Sequence, residues 1–188
     1  MNTNEVICSR SDSLLVVIDA QTRLLAAMPE ATRQGLLGAC STLLRAAALL
    51  DIPTLMTEHY PSGIGGTQPE LLAIRPDVSH VIAKDTFCAR GVAQFDRLLT
   101  ASGRRQLVIC GAEAHVCVLQ TAMRLRAENF TVFIAADAVA SRREANRSNA
   151  LERMRAASIS IANVESVLFE WLRDRSHPHF NDVLALIK

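Results

Sequence analysis

The chain has 188 residues, with Lys plus Arg at 20 against Asp plus Glu at 19 and a formal net charge of +1. That balance excludes the global basic field that draws proteins to nucleic acid or anionic membranes, and the six Phe, one Tyr and one Trp form no base-stacking motif. The length suits one compact domain over 1–188, so the expected partner is a small molecule recognised locally.

The first ten residues carry no basic region followed by an apolar core, and no apolar run approaches membrane-spanning length, so a cytosolic location is expected. Five cysteines, Cys8, Cys40, Cys88, Cys110 and Cys117, are an odd number without metal-type CxxC spacing, as expected of reduced thiols. Strand-length apolar runs at 14–18, 54–57, 80–83, 106–110, 131–135 and 159–162 alternate with helical patterns at 33–50, 92–101, 116–128 and 143–156, before a last helical pair at 166–173 and 180–187. This alternation predicts an α/β fold in which helices cover both faces of a parallel sheet. Between the second and third strands, 61–76 is rich in Gly and Pro and reads as an irregular loop near a site.

Asp19 follows the buried run Leu14-Leu-Val-Val-Ile18, at the carboxyl edge where open α/β sheets bind ligands. Taken alone, it reads equally well as a cap on the next turn. Lys84 closes the third strand in the same way, and a lone lysine there is often simply solvated. Cys110 lies inside an apolar strand and reads as a small buried hydrophobe. Cys117 differs, because it follows a Gly-containing turn and opens an amphipathic pattern. A helix start there would favour the thiolate. Asp, Lys and Cys converging on one sheet edge make a constellation in which a carboxylate moves the proton, an ammonium supports the charge and sulfur attacks a carbonyl. Backbone N–H groups around Glu113 and Cys117 would supply the oxyanion hole, where one donor is worth about 3 kcal/mol.

The segments Leu-Leu-Val-Val-Ile-Asp19-Ala-Gln21, Val-Ile-Ala-Lys84 and Cys110-Gly-Ala-Glu-Ala-His-Val-Cys117 resemble the Asp, Lys and Cys motifs of the isochorismatase-like cysteine hydrolase superfamily. With Thr57-Glu-His-Tyr-Pro61 and Asp137-Ala-Val-Ala-Ser-Arg142, the resemblance covers nearly the whole chain and is strongest to the isochorismatase domain-containing subgroup. It implies a three-layer α/β/α Rossmann-like fold with a six-stranded parallel sheet in the order 3-2-1-4-5-6. It also implies a nucleophilic Cys117, a proton-handling Asp19, a supporting Lys84, and a cis peptide between Ala112 and Glu113 that turns the Glu113 N–H into the oxyanion hole. The expected activity is hydrolysis of a small amide or related carbonyl compound through a thioester, without a cofactor, in a homo-oligomer. A lysine two strands from the first must lean across the second, or the sheet must twist to bring it in.

Two departures narrow this reading. Nicotinamidases of the superfamily hold a metal on an Asp-x-His pair and further histidines, whereas the region here reads Thr-Glu-His59-Tyr-Pro-Ser, and a lone His59 makes no metal site. True isochorismatases lack a nucleophilic cysteine at this point, so Cys117 speaks against vinyl-ether hydrolysis. Gln21, His59, Tyr60, Phe87 and Cys88 are the candidate pocket wall, each equally readable as packing. His115 invites a Cys–His dyad and ranks below Asp19. His177 and His179 read as a surface turn, and the arginines from Arg142 to Arg155 as a solvated face or subunit contact. The alternative to an enzyme is a silent scaffold of the same fold.

Overall fold

Residues 7–188 are described by a computed structural model. Six strands, β1 (Ser13–Ile18), β2 (Thr54–His59), β3 (Ser79–Lys84), β4 (Gln106–Ala112), β5 (Thr131–Ala140) and β6 (Ser160–Ala162), form one sheet in the order β3-β2-β1-β4-β5-β6. Every pairing is parallel. The central strands β1 and β4 are buried along their full length, as expected where helices cover both faces.

Side-chain alternation divides the core into two layers. Leu15 and Val17 of β1, Val108 and Cys110 of β4 and Phe133 of β5 pack with α2 (Glu30–Leu49) and α8 (Val164–Leu172). Leu14, Val16 and Ile18 face the other way, with Ile109 and Ile134, toward α5 (Ala93–Ser102), α6 (Leu119–Ala127) and α7 (Glu144–Ala156). Helix α2 buries Leu36, Cys40, Leu43, Leu44 and Ala47, a stripe at helical spacing, while Glu30 anchors its first turn by accepting from Gln34 at 2.8 Å. Short helices α1 (Thr22–Ala26), α3 (Pro61–Ile64), α4 (Pro69–Leu72) and α9 (Phe180–Leu184) complete the molecule. Among the described residues no helix is long and apolar enough to cross a membrane.

Three differences from the sequence reading bear on the site. The stretch 61–76 contains α3 and α4, each started by a proline in its first turn, where a missing N–H costs nothing. Strand β5 runs past Ala135 to Ala140 because a register shift opposite Ile109 and Gly111 absorbs its polar middle. Arg147 satisfies the carbonyls freed there, donating to Val139 O at 2.9 Å and Ala136 O at 2.6 Å. The helix expected over 116–128 is two pieces, a π-turn (Ala114–Val118) and α6. Glu113 O accepts from both Val116 N and Val118 N, which widens the first turn.

Candidate active site

The carboxyl ends of β1, β2, β3 and β4 meet at one point of the sheet edge. Asp19 leaves β1 with a φ of 45°, a left-handed conformation that Asp tolerates better than most side chains, and this bend turns its carboxylate along the edge. Thr57 Oγ1, at the end of β2, donates to Asp19 Oδ1 at 2.6 Å. Lys84 Nζ donates to Asp19 Oδ2 at 2.7 Å, and its other hydrogens go to Thr86 O at 3.1 Å and Phe87 O at 3.2 Å. Both side chains of the ion pair are fully buried. A buried pair persists only when its remaining donors and acceptors are also engaged, and here they are.

The lysine does lean across the second strand. His59 of β2 is the register partner of Lys84, and Thr57 that of Ile18, so the gap between Lys84 and Asp19 spans two strand spacings of about 4.8 Å each. The small Thr57 side chain leaves room above β2 for the long lysine stem to cross.

Cys117 lies in the π-turn that follows β4, 5% exposed, near enough to Asp19 and Lys84 for the charges of both to act on its thiol. Gly111 makes this approach possible. Its φ is 111°, and a Cβ there would lie 1.9 Å from Ile18 O, so only glycine lets β4 run this close to β1 just before the turn. The next peptide, Ala112–Glu113, is cis. Glu113 is itself buried, its Oε1 accepting from Arg142 N at 2.9 Å and Arg142 Nε at 3.0 Å, which ties the turn to the exit of β5.

The thiol is not held as a thiolate in this arrangement, a departure from the helix-start expectation. Burial, followed by the Asp19 carboxylate, pushes Cys117 up to about 12, and the opposing pull of Lys84 does not offset them. A thiol beside a carboxylate is an arrangement in which sulfur can hand over its proton as it attacks.

The wall residues separate into two kinds. Gln21 is fully buried and its amide is engaged by backbone: Oε1 accepts from His59 N at 2.7 Å, while Nε2 donates to His59 O at 3.0 Å and also to Gly65 O. It clasps the loop after β2 and so shapes the rim from behind. Glu58 supports the same loop, accepting from Thr67 N at 2.6 Å and Thr67 Oγ1 at 2.8 Å. His59 and Phe87 form an aromatic pair with centroids 5.1 Å apart, and His59 Nδ1 is buried without a hydrogen-bond partner among the described residues. Tyr60 and Phe87, 53% and 49% exposed, flank the edge; the Tyr60 ring lies over Gly63, where a Cβ would come within 1.9 Å of it. Cys88 is half-buried with its thiol on Gln120 O at 3.6 Å, away from Cys117.

His115 is drawn away from the dyad. Its Nδ1 meets Ser141 Oγ at 3.0 Å and its Nε2 meets Asn146 Nδ2 at 3.3 Å, so both ring nitrogens serve to fasten the π-turn to β5 and α7. His177 and His179 lie in the turn before α9, with His179 Nδ1 against Asp182 Oδ2 at 3.3 Å. Thr57 is the site residue that sequence reasoning passed over. The available signal was a threonine closing the strand beside β1, at the level of Ile18, where its hydroxyl must meet the Asp19 carboxylate.

The model of the family described as Isochorismatase domain matches residues 13–166. Isochorismatase domain-containing protein 2A of Mus musculus is 38% identical over 151 residues, covering 78% of this chain and 69% of that protein. Among solved structures, the MAR1 ribonuclease of Caenorhabditis elegans superposes with a TM-score of 0.90 at 29% identity, covering 96% of this chain and 92% of that one. The YcaC gene product of Escherichia coli, an octameric hydrolase of unknown specificity, superposes with a TM-score of 0.86 at 27% identity, covering 97% and 87%. A match of this extent on this strand order leaves one assignment: the chain belongs to the isochorismatase family and carries its hydrolase fold.

Proposed function

We propose that this chain is a cysteine hydrolase that cleaves a small amide or related carbonyl compound through a thioester on Cys117. The observation that carries the reading is the place of the Cys117 thiol beside the buried Asp19–Lys84 pair at the carboxyl edge of the sheet. Sγ attacks the carbonyl carbon as its proton passes to Asp19. The N–H groups of Glu113 and Cys117 receive the oxyanion. Collapse of the tetrahedral adduct expels the amine, which takes the proton from Asp19 and leaves an acyl thioester. Water then attacks the thioester and gives a proton to Asp19, and collapse releases the carboxylic acid and Sγ, which takes that proton back to restore the thiol. Asp19 thus acts as base and acid in turn, while Lys84 fixes its carboxylate and balances the charge.

A thiol kept protonated until a carbonyl arrives suits this sequence, because sulfur and carboxylate ionised side by side would repel each other. His59, Tyr60 and Phe87 are the proposed wall around the substrate, with Gln21 holding the loop that carries the first two. We assign the protein to a reducing compartment such as the cytosol, supported by five cysteines that are all free, and to a homo-oligomer, supported by the octameric state of the E. coli relative. Small amides, esters and aldehydes screened against the wild type and Cys117→Ala, with RNA as a control, test the proposal. At least one amide or ester should be turned over, with a loss of about 10³-fold or more in the variant. Undiminished turnover by Cys117→Ala, or cleavage of RNA in preference to every carbonyl compound, contradicts it.

A further inference from the structure

A cavity of about 610 Å³ lies against α6, and Asp19, Lys84 and Cys117 are not among its lining residues. Leu119 and Met123 form its apolar floor, and Arg90, Arg124 and Arg153 reach it from the β3–α5 loop, α6 and α7. Cys88 stands on its wall. A volume of this size accommodates a small organic ligand, and its mixture of apolar floor and converging guanidinium groups restricts the chemistry of that ligand.

The three arginines are not equivalent. Arg90 is held from behind by ion pairs to Asp96 and Glu128, its Nε donating to Glu128 Oε2 at 2.7 Å, so it is a fixed part of the wall. Arg124 uses only Nε, on Glu128 Oε1 at 2.6 Å, which leaves both terminal nitrogens of its guanidinium available. Arg153, exposed on α7, makes no side-chain hydrogen bond or ion pair among the described residues. Three guanidiniums against the two carboxylates of Asp96 and Glu128 leave one positive charge uncompensated. That surplus lies where two sets of free planar donors border an apolar floor, an arrangement suited to one carboxylate-sized head group with a hydrocarbon body.

We propose that this cavity is a binding site for a small amphipathic monoanion, whose head lies between Arg124 and Arg153 and whose chain lies on Leu119 and Met123. The site is separate from the Cys117 centre and does not depend on the hydrolase reading. The two are nevertheless linked, because Cys88 feels the charges of both Arg124 and Lys84, and the segment between Lys84 and Arg90 joins them. A ligand here would press on the loop whose carbonyls at Thr86 and Phe87 hold the lysine.

Cys88 provides the readout. It is the only cysteine on the tryptic peptide 85–90, so its labelling by N-ethylmaleimide in the intact protein can be followed by mass spectrometry apart from the other four thiols. Octanoate should slow labelling of that peptide in a saturable way. Octanamide, which keeps the chain and lacks the charge, and inorganic phosphate, which keeps a charge and lacks the chain, should each need at least about ten times the concentration. Arg153→Gln and Arg124→Gln, both at exposed positions, should each weaken octanoate protection about tenfold, the usual cost of losing one charge-assisted hydrogen bond. Thermal unfolding confirms that each variant is folded. Equal protection by octanoate and octanamide overturns the proposal, as does protection that survives both arginine changes. A Cys88 thiol that becomes reactive only on dilution overturns it too, since a second copy of the chain would then occupy the cavity.

Discussion

Cys110 and Cys117 belong to one short stretch of chain and to opposite faces of the sheet, and the contrast between their surroundings locates the chemistry. Cys110 packs in the layer of α2 and α8, against Cys40, whose thiol points to Ala138 O at 3.9 Å. Its pKa is raised first by the hydrogen bond with Cys40 and then by burial. Cys117 is also raised, by burial and then by Asp19. Neither thiol is acidic. The difference is that Cys117 has a carboxylate and a lysine beside it and a place at the sheet edge, whereas Cys110 has another thiol and a closed core. On the proposed mechanism, reactivity rests on the neighbouring carboxylate and on access, not on a thiol ionised in advance.

Four substitutions sharpen or break this contrast. Asp19→Asn should cut turnover by about 10³-fold, the scale of a lost general base, while shifting alkylation of Cys117 to lower pH because a charge that raises its pKa is gone. Rate and pH midpoint moving in these opposite senses, read by steady-state kinetics and a pH series of iodoacetamide labelling, would separate proton transfer from acidity; wild-type turnover would remove Asp19 from the mechanism. Lys84→Met should destabilise the fold by about 3 to 5 kcal/mol in denaturant unfolding, since it strands a buried carboxylate. It should also move Cys117 alkylation to higher pH, and an unchanged labelling profile would mean that Lys84 does not act on the sulfur. Thr57→Val deletes one donor to the same carboxylate and should cost about 2 kcal/mol in the same unfolding measurement. Cys110→Ala should cost about 1 kcal/mol and leave turnover unaltered, so a loss of activity there would place chemistry on the wrong face of the sheet.

Much of this arrangement is legible in the residues because it rests on strand ends. A carboxylate after Leu14-Leu-Val-Val-Ile18 and a lysine after His80-Val-Ile-Ala83 can be placed at one edge by the parallel alternation alone, and Gly111 announces the turn that delivers Cys117. The lysine's crossing over β2 follows from the strand order, whereas the register that sets His59 beside Lys84 and the hydroxyl that Thr57 gives to Asp19 are not legible. The protonation state of Cys117 was misread for a related reason. Sequence suggests a helix start, but the balance among burial, Asp19 and Lys84 is decided by three-dimensional contact. The length of β5 was hidden because Arg147, far along the next helix, supplies the donors that its bulge requires. Gln21 shows the same limit, since nothing in its position in the chain reveals that its amide closes on His59 and Gly65 instead of facing the rim.

The central claim is covalent attack by Cys117 with Asp19 as the proton acceptor, and it is tested most directly by intact-protein mass spectrometry of the enzyme quenched in acid during turnover of an amide or ester found in the screen. The mechanism predicts a mass increase equal to the acyl group. After digestion it should map to Cys117 within peptide 106–124, be absent from Cys110 on the same peptide and persist longer when deacylation is slowed by Asp19→Asn. Turnover by a Cys117→Ala protein with no acyl adduct on the wild type would contradict it.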